Sequence, residues 1–497
     1  MLRHAAHWPV SVGTSSAEGA FVSDSTEVST HLTKDAFGVP GILFFVLSAQ
    51  APLTSIVGAA GVAIALGNGA GVPGAYLAVG AVIILFAVGF TTMTRHVDSR
   101  GGFFALIRAG LGLRAGTGGS VVALLSYNAV QLAMYGLFGA SVSALVSEHL
   151  GATTPWWLWV AIAIAGVWFL GSRRVEVGAQ VLAILVSLEI ALLVAFAVGV
   201  LAQRGLDALD VGASFSPSAV TAGAPGVAVM FAIACMFGFE STAIYSAEAK
   251  DPRRTVPRAT YVAVVVIAVF LAVLTWMLVA YYGASDVQAA ALTSLSGDPA
   301  SFAVGPLNDV LGGWAGTAAS VLLCTSLFAG ILAFHNMITR YLHALGEAGT
   351  LSSALQRTNR HLAPAAASLV QTLVAAAVVG WFAAFGLHPV AQLFSWFAGL
   401  AVAALVVLYV LTSLAVVRFF RTRPVETNPW TTRIAPALSA LLMVGVLAMV
   451  VGNFDVLTGG TGLTLWLLLG SVPAAFALGV LRASTPPVPA DLSPEPA

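Results

Sequence analysis

Long apolar runs alternate with short polar segments along almost the whole chain. Each run is about 20 residues long, which is the length that a helix needs to cross about 30 Å of hydrocarbon. The runs predict twelve helices, near residues 40–66, 72–94, 118–148, 155–171, 175–203, 225–248, 258–282, 312–346, 363–385, 388–418, 433–452 and 462–481. Polar tails over 1–36 and 484–497 are expected to be disordered and to flank a membrane domain over 37–483.

The composition fits this pattern. Of 497 residues, 59% are hydrophobic and 8% are charged, whereas soluble domains carry about 25% charged residues. The net charge of zero implies no nucleic-acid partner. No metal-binding, nucleotide-binding or hydrolase motif occurs, so we expect no cofactor and no enzymatic activity.

Positive charges are distributed unevenly between the two sides of this twelve-helix arrangement. All of the 21 Lys and Arg residues except Arg204 fall on one side. Because positive loops face the cytoplasm, this asymmetry predicts a multi-pass protein of the cell membrane with both termini in the cytoplasm. On the opposite side, the longest loop, about 283–311, is expected to fold over the outer mouth.

A carboxylate interrupts the sixth predicted helix, where Glu240 follows Gly238 in an apolar setting. A charge within hydrocarbon costs roughly 2.5–3.5 kcal/mol even on a lenient scale, and such charges usually mark a pathway or a binding site. Glycine allows the backbone to leave the helical conformation at this depth. The alternative is a packing glycine beside a structural carboxylate.

The first predicted helix contains a second interruption at Pro52, which removes a backbone donor and clashes with the preceding turn. Gln50, Thr54 and Ser55 are placed to bond the freed backbone or to touch a solute. The alternative is a simple proline kink.

Two interrupted helices five spans apart indicate a transporter built from inverted repeats, with its site near the midplane. Repeat one would cover about 40–203, repeat two about 225–418, and two extra helices about 433–481. Helix ends at the breaks offer amides to an anion and carbonyls to a cation, which suits a zwitterion.

The third predicted helix carries a polar stripe that includes Asn128 and Gln131. Residues three apart lie on one helix face. The stripe either faces the solute or joins helices through hydrogen bonds.

Several of these segments resemble the amino acid–polyamine–organocation (APC) superfamily of permeases. The resemblance is carried by Phe237–Ser241 with the following Ala247–Ala259, by Gly101–Ala105, and by Asn336–Arg340 with Ala344–Gly349. It extends over roughly residues 38–480.

The resemblance implies an all-α membrane protein of the leucine-transporter type, with five plus five inverted helices, discontinuous helices 1 and 6, and two extra helices. By position, the amides of Ala51–Ser55 would hold a substrate carboxylate and the carbonyls of Phe237–Phe239 an amine. The chain departs from the family because the usual Gly-x-Gly of helix 1 is absent, and Pro52 has no amide to donate. An amine without a carboxylate is therefore an open alternative.

A second departure concerns the fifth helix. Some proton-dependent relatives carry a lysine at the position of Glu189, eleven residues after Gly178. A carboxylate at this point would bind a proton or attract sodium, because burial favours the protonated form. Glu189 and Glu240 are thus the predicted proton-coupling residues, with a purely structural hydrogen bond as the alternative for Glu189.

Together these features predict a secondary active transporter that moves an amino acid or related amine by alternating access, with proton symport expected. Exchange of amino acids or amines, polyamine transport and, more remotely, a membrane-embedded sensor are the alternatives. The predicted substrate contacts are Gln50, Ala51, Pro52, Leu53, Thr54, Ser55, Asn128, Gln131, Phe237, Gly238, Phe239, Glu240 and Ser241. The expected partners are this small molecule, a coupling proton and the lipid bilayer.

Overall fold

The computed structural model describes residues 38–97, 102–173, 179–240, 242, 251–347, 349, 351–359, 363–423, 425, 428–460 and 462–483. These residues form helices and connecting turns, without a β-strand. The all-α class is therefore confirmed for the described chain. The predicted tails 1–36 and 484–497 lie outside the described residues.

Nine helical stretches of the described chain are long and apolar enough to cross a membrane. They are Pro52–Thr94, Leu113–Leu150, Ala183–Arg204, Arg253–Tyr282, Trp314–Glu347, Ala365–Ala384, Pro389–Thr422, Trp430–Thr458 and Leu463–Arg482. Shorter apolar helices cover Gly102–Leu111, Trp156–Ser172 and Pro225–Ala234. The chain is thus a multi-pass membrane protein.

The α-helices are numbered in chain order. Up to Arg204 they are α1 (Val39–Gln50), α2 (Pro52–Thr54), α3 (Gly61–Ala63), α4 (Val72–Thr94), α5 (Gly102–Leu111), α6 (Leu113–Leu150), α7 (Trp156–Ser172) and α8 (Ala179–Arg204). The central part holds α9 (Val211–Phe215), α10 (Pro217–Val220), α11 (Pro225–Ala234), α12 (Pro252–Tyr282), α13 (Val287–Ser296), α14 (Ser301–Leu311) and α15 (Trp314–Glu347). The last are α16 (Ala365–Ala384), α17 (Ser395–Thr422), α18 (Ala435–Gly452), α19 (Phe454–Thr458) and α20 (Leu463–Arg482).

Wider π-helical turns continue several of these helices, at Ser55–Ala60, Ile64–Asn68, Pro389–Phe394 and Trp430–Ile434. The first two lie in the stretch that follows α2, so this span is under-wound in two places. Single π turns inside helices are rare and often occur at functional sites.

Close packing holds the long helices together where glycine lies at a contact. At Gly110 of α5, a side chain would overlap the backbone of Ala415 in α17. Gly479 of α20 makes the same kind of approach to the backbone of Thr117 in α6. Small residues let membrane helices approach closely, which gives van der Waals contact in place of a hydrophobic driving force.

The segment predicted as the longest outer loop contains two helices, α13 and α14. Gln288 of α13 donates to the carbonyl of Ala65 at 3.2 Å, and the hydroxyl of Tyr282 donates to the carbonyl of Phe302 at 2.9 Å. These bonds attach α13 to the span after α2 and α14 to the end of α12. The loop therefore folds onto one end of the helix bundle.

Candidate functional site at two helix breaks

The first break lies at Ala51, between the end of α1 and the start of α2. Ala51 has φ 50° and ψ 79°, the left-handed conformation, which costs an L-residue roughly 1–2 kcal/mol. Pro52 follows as the first residue of α2, where its missing amide costs nothing. The helix is therefore interrupted and restarted at the place where the sequence carries its proline.

Side chains on both sides of this break bond to each other. The Gln50 amide donates to the Ser55 hydroxyl at 2.7 Å, and the Ser55 amide donates to the Ala51 carbonyl at 3.1 Å. Gln50 and Ser55 thus stabilise the broken backbone. The hydroxyl of Thr54 is buried and has no hydrogen-bond partner among the described residues.

Glu189 of α8 reaches the start of the restarted helix. The Leu53 amide donates to Glu189 Oε2 at 3.1 Å, and the Glu189 side chain is 0% exposed. Its other oxygen makes no hydrogen bond of normal geometry to the described residues, although the Ser326 hydroxyl lies within range. The Glu189 carboxylate therefore already accepts from the Leu53 amide, which is one of the amides that the resemblance assigns to a substrate carboxylate.

The second break follows α11, which ends at Ala234. The amide of Phe237 still donates to the Ala234 carbonyl at 3.4 Å, but Gly238 has φ 107°, a conformation that L side chains rarely adopt. The Gly238 amide donates to Glu240 Oε2 at 3.1 Å, so the carboxylate folds back onto the turn that carries it. Of the predicted contacts, Ser241 lies outside the described residues.

Two tyrosine side chains from other helices lie near Glu240, which is 9% exposed. Tyr127 of α6 and Tyr409 of α17 both lie close enough for their hydroxyls to interact electrostatically with its carboxylate. The Tyr409 hydroxyl is buried without a hydrogen-bond partner among the described residues. Sequence reasoning missed Tyr409, although a tyrosine within an apolar span was the available signal.

Aromatic rings line the same turn on both sides. Phe237 lies 6.1 Å from the ring of Tyr127, and Phe239 lies 5.8 Å from the ring of Tyr409. Phe86 of α4 contacts Tyr409 at 4.5 Å between ring centroids. Glu240 therefore lies on a turn flanked by aromatic residues, and a carboxylate together with aromatic rings is a combination that can bind an organic cation.

The two breaks lie next to each other. The Cys235 thiol, one residue past α11, lies near the Ser55 hydroxyl in the first break. The hydroxyl of Tyr76 in α4 is 3.5 Å from the same sulfur. Ser55 and Cys235 thus link the two interrupted segments near their breaks.

The polar stripe on α6 does not join this link. The Asn128 amide donates to the carbonyl of Leu124 on its own helix at 2.8 Å. Gln131 is fully buried, donates to the Ile331 carbonyl of α15 at 3.0 Å, and accepts from the Gln371 amide of α16 at 2.6 Å. Gln131 therefore connects three helices, which corresponds to the helix-joining interpretation of the stripe.

Metal-ligand chemistry has no counterpart in the described part of the chain. No group of three or more His, Cys, Asp or Glu residues is close enough there to hold a metal ion.

Crystal structures of a transporter share the fold of this chain. A crystal structure of the manganese transporter of Eremococcus coleocola, in complex with an aromatic bis-isothiourea substituted compound, matches with a TM-score of 0.55 and 15% identity. The match covers 90% of this chain and 94% of that one. A form of the same transporter with a histidine-to-alanine substitution matches with a TM-score of 0.52, at the same identity and coverage. At this identity the likeness shows the fold alone.

The sequence comparison is more specific. No curated protein sequence matches the chain significantly. The sequence profile of the family described as amino acid permease matches residues 40–481. The matched range is nearly the same as residues 38–480, over which the sequence resembles the APC superfamily, so that resemblance is confirmed. A match to a permease family indicates a transporter rather than an enzyme. The chain therefore belongs to the amino acid permease family.

Proposed function

We propose that the protein is a secondary active transporter that moves a small amine-bearing solute across the cell membrane by alternating access. The proposed architecture has twelve transmembrane helices in five plus five inverted repeats with two extra helices, and both termini in the cytoplasm. The observation that carries the proposal is the buried Glu240, held on a Gly238 turn beside a second helix break. Interrupted helices facing each other are typical of solute sites in transporters of this kind.

The proposed coupling ion is a proton, carried by Glu189, Glu240 or both. A carboxylate held in a low-dielectric interior either pairs with a cation or takes up a proton, because its desolvation as an anion costs several kcal/mol. One proton moving down about 100 mV releases about 2.3 kcal/mol, which supports roughly 40-fold accumulation of the solute.

One contact favours an amine without a carboxylate over an amino acid. Because the Leu53 amide already bonds to Glu189, a substrate carboxylate at that amide would have to displace the bond and, when Glu189 is ionised, would lie beside a second negative charge. Like charges in a buried site repel strongly. Pro52 supplies no alternative amide. A cationic amine would instead meet the two carboxylates and the rings around Glu240.

A substrate screen with matched pairs tests this preference. The purified protein is heated with each amino acid and with its decarboxylated amine, for example ornithine beside putrescine and histidine beside histamine. A ligand at 100 times its Kd stabilises the native state by about 2.7 kcal/mol. We expect the amine of a pair to raise the unfolding temperature more. A larger shift for the amino acid would refute the preference and leave an amino acid as the substrate.

Uptake into proteoliposomes tests the transport proposal itself. We expect an imposed pH gradient, acidic outside, to drive the labelled ligand inward, and Glu240→Gln to impair this uptake. Uptake that requires sodium and ignores the pH gradient would contradict proton coupling. Uptake only into vesicles preloaded with substrate would indicate exchange, and binding without any flux would indicate a sensor.

A further inference from the structure

A basic cavity lies where the end of α4 meets the start of α12, away from the helix breaks. Its volume is about 600 Å³. Four arginines line it, together with a histidine and a tyrosine: Arg95, Arg253, Arg254, Arg258, His96 and Tyr261. Arginine presents a planar fork of donors that matches phosphate oxygens, so this lining suits a phosphate group.

Among the residues that the structure describes, most of this positive charge has no acidic partner. Arg254 Nε lies 3.6 Å from Asp251 Oδ2, an exposed pair that contributes little. Arg95, Arg253 and Arg258 form no ion pair with any residue that the structure describes. Within the described part of the chain, three guanidinium groups in one concave site are therefore without an acidic partner and can bind an anion.

The two walls of the cavity are joined to each other. The Thr91 hydroxyl of α4 and the Tyr261 hydroxyl of α12 lie 3.3 Å apart, one turn from the arginines on each helix. The cavity is thus formed by two packed helices rather than by a chance approach of surface side chains.

An exposed apolar stripe on α12 begins next to the cavity. Val262, Val265, Val266, Val269 and Val273 are 40%, 45%, 38%, 47% and 40% exposed. They follow Arg258 at spacings of four, seven, eight, eleven and fifteen residues, so they share its helix face. On a membrane protein such a stripe faces the acyl chains of the lipids. The arginines of the cavity, where the stripe begins, then lie at the level of the headgroups.

We propose that this cavity binds the phosphate of an anionic phospholipid, with the acyl chains lying along the valine stripe of α12. Basic pockets between transmembrane helices are suited to anionic headgroups. Free phosphate shares the same chemistry at the arginines. The valine stripe favours the lipid, because it gives the acyl chains an apolar surface that inorganic phosphate cannot use.

Native mass spectrometry of the full chain in detergent tests this site. The probes are phosphatidylglycerol and phosphatidylcholine with the same acyl chains, and inorganic phosphate as a competitor. We expect tighter binding of phosphatidylglycerol, and a loss of about 5-fold for each arginine removed in Arg253→Gln and Arg258→Gln. Arg421→Gln, an exposed arginine near the end of α17, is the matched control and should bind as the wild type does.

The outcomes separate the lipid from its competitors. Equal binding of both lipids, or unchanged binding by the two variants, would overturn the proposal. Displacement of phosphatidylglycerol by inorganic phosphate at similar concentration would assign the cavity to soluble phosphate instead. Should the α12 variants fail to fold, Arg95→Gln on the opposite wall of the cavity serves instead, and it should weaken phosphatidylglycerol binding by a similar factor. Because the assay measures no transport, its result is independent of the proposed solute site.

Discussion

Glu189 bonds to the first helix break and is also a proposed proton carrier. Its structural role and its transport role can be tested separately. Two substitutions change these properties independently. Glu189→Gln keeps an oxygen that can accept from the Leu53 amide, but it removes the charge. Glu189→Leu removes both the charge and the acceptor. Glu347→Gln, at the exposed end of α15, is the control for loss of a carboxylate elsewhere.

The structure sets the expected magnitudes. A hydrogen bond to a charged acceptor contributes about 1.5–3 kcal/mol and a neutral one about 1 kcal/mol, so Glu189→Gln loses about 1 kcal/mol of bonding. Relief of the desolvation cost of a buried charge, which is several kcal/mol, offsets that loss. Glu189→Leu leaves the buried Leu53 amide without this acceptor, at a cost of about 1–3 kcal/mol relative to the glutamine variant.

Thermal unfolding in detergent and uptake in proteoliposomes measure the two roles. We expect Glu189→Gln to unfold at or above the wild-type temperature yet to lose uptake driven by a pH gradient. Glu189→Leu should unfold at a lower temperature than Glu189→Gln. Wild-type uptake by Glu189→Gln would refute the coupling role. Equal stability of the two variants would refute the contribution of the hydrogen bond to the break.

Two further predictions concern the scaffold. Partial desolvation raises the pKa of the Asp298 carboxyl, although the Ala300 amide and exposure to solvent limit the effect. The charged carboxylate is therefore disfavoured in the folded state once the pH exceeds the ordinary pKa of Asp. Asp298→Asn should slightly raise the unfolding temperature at pH 7, with a gain that shrinks towards pH 4, and a gain independent of pH would contradict this. Gly110→Ala would force a Cβ into the backbone of Ala415 and should lower the free energy of unfolding by about 1–3 kcal/mol. Gly380→Ala is the control, because a Cβ there meets open space and should be tolerated. Equal unfolding temperatures of the two variants would contradict the close packing at Gly110.

The sequence carried enough information to locate both interruptions. Pro52 marks the first break because its ring and missing donor are incompatible with a continuous helix at that point. Gly238 marks the second because the turn needs a positive φ. Both are local properties of single residues, so the sequence around each residue is enough to predict the position of the break.

Contacts between distant residues were not recoverable in the same way. The bond from Leu53 to Glu189 joins positions 136 residues apart, and the link from Gln371 to Gln131 joins positions 240 apart. Periodicity places a side chain on a helix face but does not identify the helix opposite. Helices α13 and α14 were missed because they are short and because Gly297 and Pro299 separate them, which made the segment look like a loop.

The central claim is that the two breaks and Glu240 together form the solute site. Equilibrium binding of the radiolabelled ligand that gives the largest thermal shift tests it directly, with wild type, Glu240→Gln and Gly380→Ala as the three proteins. Loss of a charged contact of about 1.5–3 kcal/mol predicts that Glu240→Gln weakens binding by roughly 10-fold or more, while Gly380→Ala binds normally. Wild-type affinity in a folded Glu240→Gln protein would contradict the claim.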